Sequence, residues 1–116
     1  MLFLFIYKHL SLKSPHFGNT ILLGYIVDKQ IIGYIFLKNI IKDENAGYLI
    51  DGLFIEEKHR RKGYAKELLE YSLNLLKKEN PAFIEINVLY ANKVARKLYK
   101  SLGFQDFKIT MRKIDN

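Results

Sequence analysis

Short runs of apolar residues, separated by polar breaks, fill the first half of the chain. The runs cover residues 1–7, 21–27, 31–37 and 48–55 and are rich in β-branched and aromatic side chains, which predicts strands. The polar break at residues 28–30 predicts that the second and third strands form an antiparallel hairpin. Gly52, inside the fourth run, is a candidate position for a β-bulge.

The spacing of apolar residues changes to that of a helix after residue 63. One stripe then carries the apolar and small residues, which predicts an amphipathic helix. Its core-facing positions are Ala65, Leu68, Leu69, Ser72, Leu73 and Leu76. Asn80 and Pro81 end this helix, and residues 83–88 then alternate as a strand does.

A second helix is predicted after Asn92, which is a good N-cap residue. Gly103 suits the C′ position at its other end, because glycine readily adopts the left-handed conformation found there. The segment that follows, residues 104–114, predicts a last strand. The core stripe of the helix consists of Val94, Ala95, Leu98, Tyr99 and Leu102.

The order of these elements predicts an α/β fold with a mixed (α+β) sheet. A strand–helix–strand step within an otherwise antiparallel set makes the crossover pair parallel. We therefore expect a mostly antiparallel sheet with one parallel crossover and flanking helices. The length of 116 residues fits a single domain, residues 1–116.

Composition narrows the class of protein. Hydrophobic residues make up 49% of the chain, which argues against disorder. Without cysteine the chain forms no disulfide, thiolate nucleophile or cysteine-based zinc site, and it suits the reducing cytoplasm. The apolar start is too short for a membrane helix and lacks the basic residues and cleavage site of a signal peptide.

The formal net charge of +7 predicts an anionic partner. Charge alone leaves open a nucleic acid, an anionic membrane or an anionic cofactor. Basic residues are concentrated at 58–62 and 93–100 rather than in a tail. No RNA-stacking signature and no recognisable DNA-reading helix accompanies them, so nucleic-acid binding ranks below a cofactor.

The segment that carries chemistry is residues 53–65, an apolar strand followed by a basic turn and the start of a helix. Backbone N–H groups at a helix start lack intrahelical partners and lie at the positive end of the helix dipole, so they bind phosphate. Gly63 allows the chain to approach a ligand closely, and Ala65 avoids a clash. The segment lacks the Gly-Lys-Ser/Thr of a P-loop and the three glycines of dinucleotide folds. It predicts a site for a pyrophosphate.

Two stretches resemble one known family. Arg60-Arg61-Lys62-Gly63-Tyr64-Ala65 matches the GNAT pattern Arg/Gln-x-x-Gly-x-Gly/Ala, which binds the pyrophosphate of acetyl-CoA. Residues 92–104 resemble the family's Asn-x-x-Ala-x-x-Leu-Tyr-x-x-x-Gly-Phe stretch. The resemblance covers roughly residues 24–104. It implies an acetyl-CoA-dependent N-acetyltransferase that acts on a primary amine and needs no metal.

The resemblance also implies a role for each site residue. The pyrophosphate is bound by Arg60, Arg61, Lys62, Gly63, Tyr64 and Ala65. The pantetheine arm pairs with the backbone of Leu53, Phe54 and Ile55, where an N–H near Phe54 or Ile55 also stabilises the oxyanion. Asn92 contacts the cofactor arm in addition to capping its helix. Tyr99 protonates the leaving thiolate, although its place on the apolar stripe equally suits a core residue.

The general base is less well specified. Asp51, on the strand that leads into the motif, is the first candidate, followed by Glu56 and Glu85 or a water-mediated route. For each of these carboxylates a solvated or structural role is the competing interpretation.

The acceptor side departs from the family pattern. Residues 8–20 cannot hold the two helices usual there, and residues 104–116 leave little for the usual final strand pair. An open acceptor side suits a protein amine or a homodimer whose second subunit completes the site. The alternative function is a non-catalytic acetyl-CoA-binding sensor or subunit.

Overall fold

A five-stranded sheet forms the centre of the molecule. The computed structural model describes residues 3–9 and 20–115. The strands are β1 (Phe3–His9), β2 (Thr20–Val27), β3 (Gln30–Lys42), β4 (Asn45–Ile55) and β5 (Ile84–Ile86). They lie in the order β1-β2-β3-β4-β5, antiparallel except for the parallel pair β4–β5. The predicted α/β fold with a mixed sheet is confirmed.

Two tight hairpin turns join the central strands. Asp28 and Lys29 have φ of 49° and 65°, and Asp43 and Glu44 have 50° and 65°. Left-handed conformations at both central residues match the twist of the flanking strands, as in type I′ turns. Pairing continues to Lys42↔Asn45. The central strands are therefore longer than the apolar runs that predicted them.

Helix α1 (Tyr64–Lys77) covers one face of the sheet. It contacts β2, β3 and β4, and its buried residues are Leu68, Leu69, Ser72 and Leu76. These lie on the predicted stripe, because the 3.6-residue period puts them on one side of the helix. Burying one such leucine contributes about 1.5–3 kcal/mol. The stripe faces fully buried side chains of the sheet, among them Leu23, Ile35 and Leu37.

Helix α2 (Lys93–Ser101) follows β5 and has no fully buried residue. Ala95, Leu98, Tyr99 and Leu102 are half-buried, as the predicted stripe requires. Val94 was wrongly predicted to face the core, because its side chain is 84% exposed. It lies at the start of the helix, where no neighbouring element among the described residues covers it.

The end of the chain differs most from the prediction. Residues 104–114 were expected to form a strand, but no strand begins after α2 in the part of the chain that the structure describes. Phe107, Ile109 and Met111 alternate as strand residues do, yet their side chains are 80–88% exposed. Alternation is not sufficient, because a strand also needs a neighbour to satisfy its backbone groups. The strand predicted at 83–88 likewise ends at Ile86.

Candidate active site

The end of β4 separates from its neighbour. Phe36 pairs with Gly52 and Leu37 with Ile50, so Asp51 is an extra residue in β4, beside the glycine at which a bulge was predicted. A bulge bends the strand and increases its twist. The parallel pairing with β5 ends at Ile50↔Ile86. Within the described structure, the β5-facing backbone of residues 51–55 is thus left without a strand partner.

The basic loop folds back onto this open end of β4. A single 3₁₀ turn, Glu57–His59, follows the strand. Arg60 Nε donates to the carbonyl oxygen of Ile55 at 2.7 Å, and its guanidinium lies 5.6 Å from the centre of the Phe54 ring. Arg60 therefore ties the loop to the strand end. The sequence motif predicted that Arg60 contacts the phosphate directly, and it did not predict the hydrogen bond to Ile55.

Helix α1 begins with an open N-terminus. Gly63 is its N-cap, with φ of 82°, and no side chain caps the helix. The first intrahelical bond runs from Glu67 N to Gly63 O at 3.1 Å, so the N–H groups of Tyr64, Ala65 and Lys66 have no acceptor within the helix. A Cβ added at Gly63 would meet no atom within 4 Å. The space beside Gly63, at the start of the helix, is therefore open.

Basic side chains surround this N-terminus. Arg61 and Lys62 are exposed, and neither forms an ion pair within the described residues. Arg61 has a φ of 64°, a conformation that costs a non-glycine residue about 1–2 kcal/mol. Such strain commonly accumulates at functional loops. Free backbone donors, the positive end of a helix dipole and cationic side chains are the features with which proteins bind phosphate groups.

A side chain of the sheet contacts the first turn of α1. The Tyr25 hydroxyl on β2 donates to Glu67 Oε2 at 2.6 Å, and the Tyr25 ring packs on that of Tyr64 with centroids 4.8 Å apart. Tyr25 is only 3% exposed, and burial is the main reason that its pKa is raised. The sequence pattern did not predict this pair. The available signal was a tyrosine within an aliphatic run, whose hydroxyl needs a partner when buried.

Helix α2 carries the predicted acid. Asn92 caps it as predicted, its Oδ1 accepting from Ala95 N at 3.1 Å. Tyr99 is half-buried against the main core, and burial raises the pKa of its phenol. Leu53, Tyr64 and Ala65 pack against the same core. One hydrophobic cluster therefore contacts the end of β4, the start of α1 and the Tyr99 side chain.

The candidate bases lie outside that cluster. Asp51 is exposed on the bulge. Glu85 Oε1 is 2.7 Å from Lys42 Nζ, which supports a structural role for it, and Glu56 Oε1 is 3.5 Å from Lys58 Nζ. Neither Asp51 nor Asn92 has a hydrogen bond or ring contact to the basic loop within the described chain. Among those same residues, no group of three His, Asp or Glu side chains could hold a metal ion.

Comparison with known proteins identifies relatives. The model of the Acetyltransferase (GNAT) family matches residues 4–104. The chain is 28% identical over 103 residues to YycN, an uncharacterized N-acetyltransferase of Bacillus subtilis, covering 89% of this chain and 65% of that protein. It is 32% identical over 100 residues to a ribosomal protein bS18-alanine N-acetyltransferase of Haemophilus ducreyi, covering 78% and 68%. Across three such relatives it spans 56–68% of their length.

Solved structures share the fold. Aminoglycoside N-acetyltransferase AAC(6')-Iy, in complex with CoA, matches with a TM-score of 0.70 at 16% sequence identity. The match covers 90% of this chain and 80% of that one. Separately, no helix in the described ranges is both long and apolar enough to cross a membrane.

Proposed function

The chain belongs to the GNAT family of acetyltransferases, and from that membership we propose that it transfers an acetyl group from acetyl-CoA to a primary amine. The observation that carries the proposal is the uncapped N-terminus of α1, set in a basic loop directly after the open end of β4. These residues fit the pyrophosphate of CoA, because the space at Gly63 is open and the next three backbone N–H groups have no acceptor within the helix.

In this proposal, two kinds of contact hold the cofactor. The N–H groups of Tyr64, Ala65 and Lys66 bind the pyrophosphate, and Arg61 and Lys62 add charge-assisted bonds. Arg60 keeps the loop against the strand through its bond to Ile55 O. The pantetheine arm takes the place of a missing strand beside Leu53, Phe54 and Ile55, and Asn92 contacts the arm from α2.

The proposed chemistry needs two proton transfers. Acetyl-CoA supplies a thioester, so a C–N bond forms, a C–S bond breaks, and a proton must leave the amine while another reaches the sulfur. Tyr99 donates to the sulfur, and burial, which raises the pKa of its phenol, favours the protonated form that this role needs. Asp51 receives the amine's proton, directly or through water. A backbone N–H near Phe54 or Ile55 donates to the carbonyl oxygen.

The acceptor is proposed only as a class, a primary amine of a protein or of a small molecule. Some relatives are named for a protein N-terminal substrate and some structural neighbours for aminoglycosides. We further propose that the chain works in the cytoplasm as a homodimer in which each subunit helps to cover the other's acceptor side. The segment expected to lie beside that side, residues 10–19, is outside the described residues.

The decisive experiment measures acetyl-CoA turnover against a panel of amines. The panel contains a peptide with N-terminal alanine, an aminoglycoside and a polyamine. We expect release of CoA with at least one acceptor. Tight binding of acetyl-CoA without turnover on any acceptor would instead favour the sensor or subunit. Absence of both binding and turnover would contradict either function.

A further inference from the structure

A carboxylate lies close to the proposed pyrophosphate site. Glu67 is the fourth residue of α1 and its backbone N–H makes the first bond of the helix. At a rise of about 1.5 Å per residue, its Cα lies about 1.5 to 4.5 Å along the axis from the free donors of residues 64–66. A Glu in the first turn is attracted by the positive end of the helix dipole and can turn towards those N–H groups. In that position it would compete with a phosphate for the same donors.

The structure shows this carboxylate engaged in a different hydrogen bond. Glu67 Oε2 accepts from the buried Tyr25 hydroxyl at 2.6 Å, across a separation of 42 residues. The ring of the same tyrosine packs on Tyr64, the first residue of the helix. The His59 ring, in the preceding turn, also lies near Tyr64, with the two ring centroids 6.3 Å apart. One sheet residue therefore touches both ends of the first turn.

We propose that Tyr25 and Glu67 are a positioning pair for the pyrophosphate site, in which the tyrosine anchors the acidic side chain to the sheet and keeps the backbone donors of α1 free. The inference rests on the proposed function, since it concerns the affinity of that same site. The Tyr25–Glu67 hydrogen bond lies outside both stretches that resemble the family, residues 60–65 and 92–104. The raised pKa of Tyr25 agrees with it, because a phenol that stays protonated keeps donating to the carboxylate.

The test uses calorimetric titration with CoA. Tyr25→Phe keeps the ring but frees the carboxylate, and we expect the Kd for CoA to rise about fivefold, which corresponds to about 1 kcal/mol. Glu67→Gln keeps an acceptor for the hydroxyl and should bind CoA as wild type does. The double variant should return to within about twofold of wild type, since an amide competes weakly with a phosphate. Tyr48→Phe, a buried tyrosine on β4, is the matched control and should not alter the Kd.

Activity separates positioning from a merely structural role. Tyr25→Phe should raise the KM for acetyl-CoA and leave kcat at saturation unchanged, whereas a damaged fold would lower kcat and the melting temperature together. Tight CoA binding by wild type with an unchanged Kd in Tyr25→Phe would overturn the pair but not the proposed function. A raised Kd that Glu67→Gln does not rescue would also overturn it. Failure of the wild type to bind CoA would overturn both.

Discussion

Tyr99 illustrates how a single side chain serves packing and chemistry together. It lies half-buried on α2, and its ring contacts that of Phe104 with centroids 6.1 Å apart. Burial disfavours the phenolate and so raises the pKa. The phenol therefore keeps its proton throughout the range in which a thiolate, with an ordinary pKa of about 8.5, needs one. The core position and the proposed role as an acid are compatible.

Removing the hydroxyl tests that role. Tyr99→Phe should lower kcat about 10²-fold, with little change in stability because the ring remains. Since the pKa is raised above its ordinary value, the wild-type rate should show no alkaline loss from this group below a pH of about 10. Tyr71→Phe, an exposed tyrosine on α1, is the control and should leave kcat unchanged. Wild-type turnover in Tyr99→Phe would make Tyr99 a core residue only.

At the scale of secondary structure, the C-terminal end of α2 fixes the position of Tyr99. Phe104 N donates to Tyr99 O, and Gly103 N to Lys100 O, both at 3.1 Å. Gly103 has a φ of 98°. These bonds form a Schellman motif, whose usual hydrophobic contact is here the Tyr99–Phe104 pair. The same contacts therefore end the helix and orient Tyr99, the proposed acid.

A Cβ at Gly103 should weaken this feature. Gly103→Ala forces an L side chain into the left-handed region, and we expect a loss of about 1 kcal/mol in the free energy of unfolding, or roughly 5 °C in Tm. Gly103→Asn should lose less, since asparagine tolerates this conformation better. Thermal unfolding of the two variants gives the comparison. An alanine variant as stable as wild type would mean that the motif contributes nothing.

Local patterns predicted the helices better than the strands and the site. The apolar stripe of α1, the Asn92 N-cap and the end of α2 at Gly103 each depend on residues within one or two turns. They could therefore be predicted from the local sequence. The Tyr25–Glu67 bond joins residues 42 apart and leaves no periodic trace. The Arg60 bond to Ile55 O depends on how the loop turns. Residues 104–114 show a strand's alternation without a strand's partner, and alternation was all that the sequence could reveal.

For the whole molecule, the apolar surface is distributed unevenly. One core joins α1 to the sheet and includes the supports of the proposed cofactor site. The segment after α2 instead exposes Phe107, Ile109 and Met111 in alternation. Exposed large apolar side chains, when they lie together, commonly mark an interface. It supports the proposal that two copies associate.

Light scattering at micromolar concentration tests the assembly. We expect twice the chain mass of 13.7 kDa, since a symmetric pair is the commonest closed arrangement. Ile109→Lys should shift the population towards the monomer. Thr110→Lys adds the same charge at the alternate position and should shift it less. A wild-type monomer that is fully active on a small amine would contradict the proposed dimer.

The most direct test of the account is the thermal shift caused by acetyl-CoA in wild type and in Gly63→Glu. A ligand at 100 times its Kd stabilises the folded state by about 2.7 kcal/mol, so the wild-type Tm should rise by about 10 °C. Gly63→Glu should lose this shift, because its carboxylate would occupy the open space before the α1 donors and repel the pyrophosphate. Gly63→Ala controls for the positive φ of 82° and should lower the basal Tm while retaining part of the shift. An undiminished shift in Gly63→Glu would place the cofactor elsewhere and contradict the account.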